Sequence, residues 1–398
     1  MRLRSNLESL VAGFALLVSA PAALESQTGG ASRLPAPSGE HAVGRTQFDW
    51  IDSSRPDTEN PNRHREVAAW VWYPAVTPSN REAAEWMPGQ WGEVFRSEYG
   101  KSHPQVQAES IVAAVQMRTH AYADAPAAAL DRGFPVLLFA PGLGTTPLDY
   151  ASVAEDVASH GYIVVGVVSP DFARASVFAD GRVVRGHDPV ELAARGGERP
   201  STALALRAFE EAARSYARDL SFALSQLASA SSGPLVGRAD VNRVGVFGHS
   251  LGGAAALQCA HDDSRVRAAF DIDGSPIWSA SNHPLRKPVL VLSAASTNLA
   301  YDAVLSAAAP GLHLRLSGTV HAFSSDIRLM PFTAPATASA RSGSRADLLP
   351  PARALQVTAT FVEVFFNQYL NGRTERLLSG PSADYPEITF EQTSTRPR

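Results

Sequence analysis

The stretch best suited to chemistry is Gly248-His249-Ser250-Leu251-Gly252, which has the form G-x-S-x-G. By composition alone the match is weak: with Gly near ~7%, a chain of this size gives roughly 0.1–0.2 such matches by chance. Its context is stronger. The strand-like run Arg243 to Phe247 (RVGVF) precedes it, and the Ala-rich stretch Leu251 to Ala260 follows it. A strand that turns sharply into a helix lifts a serine hydroxyl above the sheet, and small glycines let the chain turn and the helix approach. Ser250 is therefore expected to be a nucleophile toward acyl carbon. The plainer alternative is a Gly-rich turn that serves packing only.

A serine hydroxyl needs a base within hydrogen-bond reach, and the base needs an acid to orient it. With this kind of turn the chain order is Ser, acid, His. Four histidines follow Ser250: His261, His283, His313 and His321. His261 sits at a polar helix end, His283 in a polar loop and His313 inside a strand pattern. His321, in Ser317-Gly318-Thr319-Val320-His321, lies just past the last strand, where a loop reaches back over the sheet, so it is the expected base. For the acid, Asp271 and Asp273 share one face by period two at the end of RAAFDIDG, and Asp302 lies past the next strand. Spacing favours Asp273, which lies further out, and leaves Asp271 and Asp302 open. Two backbone N–H groups should hold the developing oxyanion. Leu251, after the nucleophile, is one; Leu143, in the early loop Pro141-Gly142-Leu143-Gly144, is the natural second.

These residues need a rigid frame. Phe134 to Ala140 and Tyr162 to Val168 are short, wholly apolar runs of the kind that form buried parallel strands. Val266 to Ile272, Pro288 to Ser293 and His313 to Leu316 read as further strands. Tyr150 to Ser159, Thr202 to Ala228 and Val357 to Leu370 read as helices, the last ended by Gly372. Alternating strands and helices imply an α/β fold, a mostly parallel sheet with helices on both faces. Val43 to Asp52 and Glu66 to Tyr73 read as an N-terminal strand pair. Residues 82–125, interrupted by Pro88 and Pro104, read as a helical insertion, and Phe172 to Pro200 as a loop. No nucleotide-binding glycine pattern is present.

Composition narrows the classes. At 398 residues and 45% hydrophobic, the chain can bury a full core. A formal net charge of −4 argues against nucleic acid as a partner. The single cysteine, Cys259, excludes an intramolecular disulfide framework and a Cys-rich zinc site, and is expected to be buried and inert. Arg2 and Arg4, the apolar Leu10 to Val18 and the Ala20-Pro21-Ala22 site read as a signal peptide over residues 1–22. A flexible leader over 23–42 and a single domain over 43–398 follow. The expected destination is the periplasm or the cell exterior.

The segments FPVLLFAPGLGTTPLDYASVAEDVASHGYIVV, VNRVGVFGHSLGGAAA, AAFDIDGSPIW and GTVHAFSSD together resemble the plasma-type platelet-activating-factor acetylhydrolases and their bacterial relatives. FDWIDSSRPD…VWYPA and FFNQYLNG are similar too, so the resemblance spans roughly Val43 to Gly372. It implies the α/β-hydrolase fold, a Ser-His-Asp triad with Asp273 as the acid, and oxyanion donors at Leu143 and Leu251. It also implies cleavage of a short sn-2 acyl ester of a phospholipid, with no cofactor or metal and with transient contact to a lipid surface. One departure bears on substrate: Pro141-Gly142 stands where the family usually has His-Gly, as in secreted polyester hydrolases and cutinases. A general carboxylesterase or polyester hydrolase is therefore the second reading, and a catalytically silent binding protein of the same fold the third. An acyltransferase would use the same triad. Tyr73, Trp86, Trp91 and Trp278 are candidates for an acyl pocket, although ordinary core packing explains such aromatics more simply. Oligomeric state is not legible in the sequence.

Overall fold

The computed structural model describes residues 33–77, 81–195, 201–230, 233–275, 284–330 and 348–391. The chain opens with β1 (Ala42–Pro56) and β2 (His64–Ala75), then α1 (Gln90–Ser102), α2 (Ala108–Val115) and β3 (Tyr122–Ala123). Next come β4 (Phe134–Ala140), α3 (Ala151–Ser159), β5 (Ile163–Val168), β6 (Ser176–Val177), β7 (Val183–Val184), α4 (Pro189–Ala194) and α5 (Thr202–Ala228). It continues through β8 (Ala239–His249), α6 (Leu251–Asp262), β9 (Val266–Ile272) and β10 (Val289–Ala294). It closes with α7 (Asp302–Ala307), β11 (Gly311–Leu316), α8 (Pro351–Asn371) and β12 (Ile388–Phe390).

Among the described residues, ten strands form one sheet in the order β12-β11-β10-β9-β8-β4-β5-β2-β1-β3. From β5 through β4, β8, β9 and β10 to β11 the pairing is parallel. The apolar runs dictate this. Every residue of β4 and β5 is buried, as a strand covered on both faces requires. Leu137 and Phe139 of β4 join a core with α3 and α8 on one face. Val136 and Leu138 join a second core with α5 and α6 on the other. Gly372 ends α8 at φ 69°, a left-handed conformation that glycine adopts without a Cβ penalty. The outer end of the β1–β2 hairpin is pinned by charge: Arg65 donates to Asp219 at 2.7 Å and to Asp171 at 2.8 Å. All three side chains are buried.

Several expectations change. Within the segment expected to be a helical insertion, 82–125, only α1 and α2 are helical. The flanks run extended, with Glu85 bridged to Arg118 and β3 paired parallel to β1. Pro88 and Gly89, the latter at φ 52°, precede α1 and break any longer helix. The leader expected to be flexible over 23–42 is packed from Arg33 onward. Leu34 is buried, its N–H donates to the Arg118 carbonyl at 2.9 Å, and Gly39 N–H donates to Ser159 Oγ at 2.9 Å. An apolar side chain with a place in the core and satisfied backbone bonds outweighs the Gly/Ser/Pro composition. The Phe172–Pro200 stretch, read as a loop, carries β6, β7 and α4. The proposed signal peptide, Trp278 and His283 lie outside the described residues. Among the described residues no helix is long and apolar enough to cross a membrane.

Candidate active site

Ser250 stands between β8 and α6 at φ 56°, ψ −119°, a strained conformation for a residue with a side chain. The surrounding glycines permit it. A Cβ on Gly252 would lie 2.0 Å from the Ala140 carbonyl oxygen, and one on Gly248 2.1 Å from the Gly252 carbonyl oxygen. Only bare backbone lets the start of α6 press against the end of β4. The strain at Ser250 is held from both sides: its N–H donates to the Ile272 carbonyl at 3.0 Å, and its own carbonyl accepts from Gly253 and Ala254.

His321 follows β11 and reaches back across the sheet. Its Nε2 lies 2.8 Å from Ser250 Oγ, and its Nδ1 lies 2.6 Å from Asp273 Oδ2. Asp273 is buried, one residue past β9, with φ 50°. Its Oδ1 accepts from Ala294 N–H at 2.8 Å, and its Oδ2 also accepts from Thr297 Oγ1 at 2.8 Å. Burial pulls this carboxyl upward, but the His321 bond and ring, Ala294 N–H and the Thr297 hydroxyl outweigh it and hold it below its ordinary value. An ionised Asp273 fixes the proton on Nδ1 and leaves Nε2 free to accept from the serine.

Of the three carboxylates left open by spacing, it is Asp273 that lies against His321 Nδ1. Asp271 is fully buried beneath the turn, where Oδ1 accepts from Gly274 N–H at 2.7 Å. Burial first, then the neighbouring Asp273, push its pKa up to about 8. Asp302 begins α7. Of the other histidines, His313 is buried against Ser293 Oγ at 2.9 Å, and His261 lies 2.7 Å from Asp262.

The loop carrying Leu143 passes beside the serine: a Cβ on Gly142 would sit 3.4 Å from Ser250 Cβ. The Gly142 carbonyl accepts from Thr145 Oγ1 at 2.7 Å and from Thr145 N–H at 3.1 Å. In a trans peptide the following N–H points the opposite way, so these bonds fix the direction of the Leu143 donor. The Leu251 N–H is likewise antiparallel to the Ser250 carbonyl that α6 ties down. As the first residue of α6 it has no intrahelical acceptor, and the positive end of the helix dipole lies there. Leu143 and Leu251 also belong to a small apolar cluster with Phe172, Leu192 and Phe209.

Two contacts were not anticipated. His249 Nδ1 lies 2.8 Å from Tyr150 Oη, and His249 Nε2 lies 2.7 Å from the His321 carbonyl oxygen. His249 occupies a variable position of the motif, and nothing in the sequence marks Tyr150. Tyr73, Trp86 and Trp91 are buried core aromatics: Tyr73 donates to the Ala125 carbonyl, Trp86 to the Leu148 carbonyl and Trp91 to Gln47. Cys259 is buried on α6, its thiol pushed up to about 12 by burial. Among the described residues no group of three or more His, Cys, Asp or Glu could hold a metal ion.

Known proteins place this geometry in a wider setting. Residues 26–182 match the family model for platelet-activating factor acetylhydrolase, isoform II, and residues 206–313 match that for PET hydrolase-like proteins. A probable 1-alkyl-2-acetylglycerophosphocholine esterase of Arthroderma benhamiae is 30% identical over 279 residues, 65% of this chain and 67% of that protein. The platelet-activating factor acetylhydrolase of Bos taurus is 28% identical over 174 residues, 38% of this chain and 39% of that one. The solved structure of a ferulic acid esterase from Streptomyces cinnamoneus superposes with a TM-score of 0.72 at 28% identity, covering 92% of this chain and 100% of that one. The parallel sheet with helices on both faces is thus an α/β-hydrolase fold, and these relatives share carboxylic ester hydrolysis. With two thirds of the Arthroderma protein aligned at that identity, the chain is a carboxylic ester hydrolase that belongs to the platelet-activating factor acetylhydrolase family.

Proposed function

We propose that the chain hydrolyses short-chain acyl esters, the sn-2 acyl ester of a phospholipid among them, through an acyl-enzyme on Ser250. The hydrogen-bond chain Ser250–His321–Asp273, at 2.8 and 2.6 Å, carries this reading. His321 takes the Ser250 proton as Oγ attacks the ester carbonyl. The oxyanion of the tetrahedral intermediate is held by Leu143 and Leu251 N–H, each such donor typically worth ~2.7–4 kcal/mol. His321 returns the proton to the departing alcohol, and the acyl group stays on Ser250. Water, deprotonated by His321, then attacks the acyl-enzyme and releases the acid. Asp273 keeps the imidazole in the working tautomer and stabilises it when charged.

The phospholipid assignment is supported by the relatives named for 1-alkyl-2-acetylglycerophosphocholine and platelet-activating factor. A second reading, a general carboxylesterase or polyester hydrolase, is favoured by the match of residues 206–313 to PET hydrolase-like proteins and by the ferulic acid esterase likeness. Export with loss of residues 1–22, and brief contact with a lipid surface during turnover, complete the proposal. The test compares p-nitrophenyl esters from acetate to palmitate with an sn-2-acetyl glycerophosphocholine, with Ser250→Ala alongside. Turnover of the phospholipid and the shortest esters, lost in Ser250→Ala, is the expected result. Fast cleavage of medium-chain esters with none of the phospholipid favours the second reading. Undiminished turnover by a folded Ser250→Ala protein overturns the mechanism.

A further inference from the structure

We propose that His249 is a positioning residue for this reaction, tying the Leu143 loop, through Tyr150, to the main chain of His321. The inference rests on the Ser250–His321–Asp273 assignment above. His249 immediately precedes the nucleophile, and its ring is buried and meets both flanking loops. On one side, Nε2 lies 2.7 Å from the His321 carbonyl oxygen. A carbonyl only accepts, so Nε2 carries the proton and donates it. Nδ1 is then the acceptor, and Tyr150 Oη, 2.8 Å away, is its donor. The same phenol oxygen lies 3.4 Å from Gly142 N–H and 3.3 Å from Thr145 Oγ1. Thr145 is the residue that orients the Gly142–Leu143 peptide.

The bridge acts at a specific point of the His321 loop: the flanking Val320 and Ala322 carbonyls accept from Phe323 N–H at 3.0 Å and Ser325 N–H at 3.1 Å, and the His321 carbonyl between them is left to His249. The side chain of His321 is 52% exposed. Thr319 anchors the start of the loop, donating to the Leu316 carbonyl and accepting from Ala295 N–H. At His321 the main chain is held by His249. A displacement of about 1 Å there would lengthen the Ser250–His321 contact, and misplacement on that scale can cost about 100-fold. The chemistry also requires the bridging ring to be neutral. The His249 and His321 rings are 4.7 Å apart, and His321 becomes a cation in the transition state. A second charge there would oppose it. Burial, then the proximity of His321, push the His249 pKa down to about 3, so it stays uncharged at working pH.

The test measures kcat and KM on a short p-nitrophenyl ester for His249→Phe, His249→Gln, His249→Asn, Tyr150→Phe and the Tyr150→Phe/His249→Phe double variant, each with its thermal unfolding curve. His249→Phe keeps ring volume and removes both bonds. It should lower kcat by about 10- to 100-fold and leave KM within about threefold. His249→Gln extends an N–H toward the His321 carbonyl and should recover most of kcat. His249→Asn, whose shorter amide reaches the Tyr150 side only, should not. Tyr150→Phe should lower kcat in the wild-type background, and the double variant should lose clearly less than the sum of the two single losses, as members of one bridge require. A folded His249→Phe protein with wild-type kcat, equal activity of the Gln and Asn variants, or full additivity with Tyr150→Phe overturns the inference. If His249→Phe does not fold, Tyr150→Phe and the Gln–Asn pair carry the test. Ser250→Ala separates the two levels: if it stays active, the triad assignment fails, whereas if it is dead and His249→Phe is unimpaired, only the bridge fails.

Discussion

Replacing Asp273 by Asn changes one atom of a buried side chain, and the surrounding bonds decide how the new amide must sit. Oδ1 accepts from Ala294 N–H at 2.8 Å, so the amide oxygen belongs there. The NH2 group then takes the place of Oδ2, facing Thr297 Oγ1 and His321 Nδ1. The threonine hydroxyl can rotate and accept. The imidazole can accept at Nδ1 only by moving its proton to Nε2, which points at Ser250 Oγ 2.8 Å away. In that tautomer the base cannot take the serine proton. The opposite amide orientation sets two donors against each other at Ala294 and strands a buried N–H, at about 1–3 kcal/mol. The expected loss in kcat is about 10⁴-fold, roughly 5–6 kcal/mol of transition-state stabilisation at about 1.4 kcal/mol per tenfold. The assay is kcat on p-nitrophenyl acetate near neutral pH, with thermal unfolding to confirm the fold. Asp302→Asn serves as a comparator expected to keep activity within about twofold. A folded Asp273→Asn enzyme within about tenfold of wild type would refute the tautomer argument.

Other perturbations probe the frame. Folded Asp271 keeps its proton up to about pH 8, whereas in the unfolded chain it ionises near the ordinary 3.8. The stability it contributes is therefore fully present below about pH 4 and is lost as pH rises to about 8. Asp271→Asn keeps the acceptor for Gly274 N–H and does not ionise, so its Tm relative to wild type should climb between pH 5 and pH 8.5; a pH-independent difference counts against the assignment. Arg65→Met removes the cation shared by Asp171 and Asp219 and should cost roughly 3–5 kcal/mol in urea unfolding; a loss under about 1 kcal/mol would show that the ion network is dispensable. Gly252→Ala places a methyl 2.0 Å from the Ala140 carbonyl and must push α6 away from β4. Its kcat should fall by about 100-fold, read against an active-site titration of Ser250.

Local pattern was enough for the elements that carry the chemistry. The bounds of α5 and β9 follow from periodicity and from the apolar run, because a helix face and a doubly covered strand each write their period into the chain. G-x-S-x-G could be read because a turn this tight excludes Cβ atoms, and glycines at 248 and 252 record that exclusion. Weak elements were illegible for the converse reason. β12 is three residues long, and β3 two, and each exists only because a sheet edge was available to pair with. The leader beyond Arg33 has a disordered composition, and it is ordered by one buried leucine and a few backbone bonds supplied from distant residues.

The sequence by itself determined the order of the central strands and the main helices, the serine turn, and a short set of residues able to serve it. On spacing it favoured Asp273 but left Asp271 and Asp302 open. Their distances to His321 depend on how β9, β10 and β11 lie side by side, and that register is a property of the sheet rather than of any one segment. Tertiary structure alone put Asp273 Oδ2 at 2.6 Å from the imidazole and sank Asp271 beneath the turn. It alone joined Tyr150, His249 and the His321 carbonyl, residues 99 and 72 positions apart in the chain. Hydrogen bonds over such separations leave no local period to read: they form only after hydrophobic burial has brought the strand ends together, and the side chains that make them look no different in sequence from those that do not.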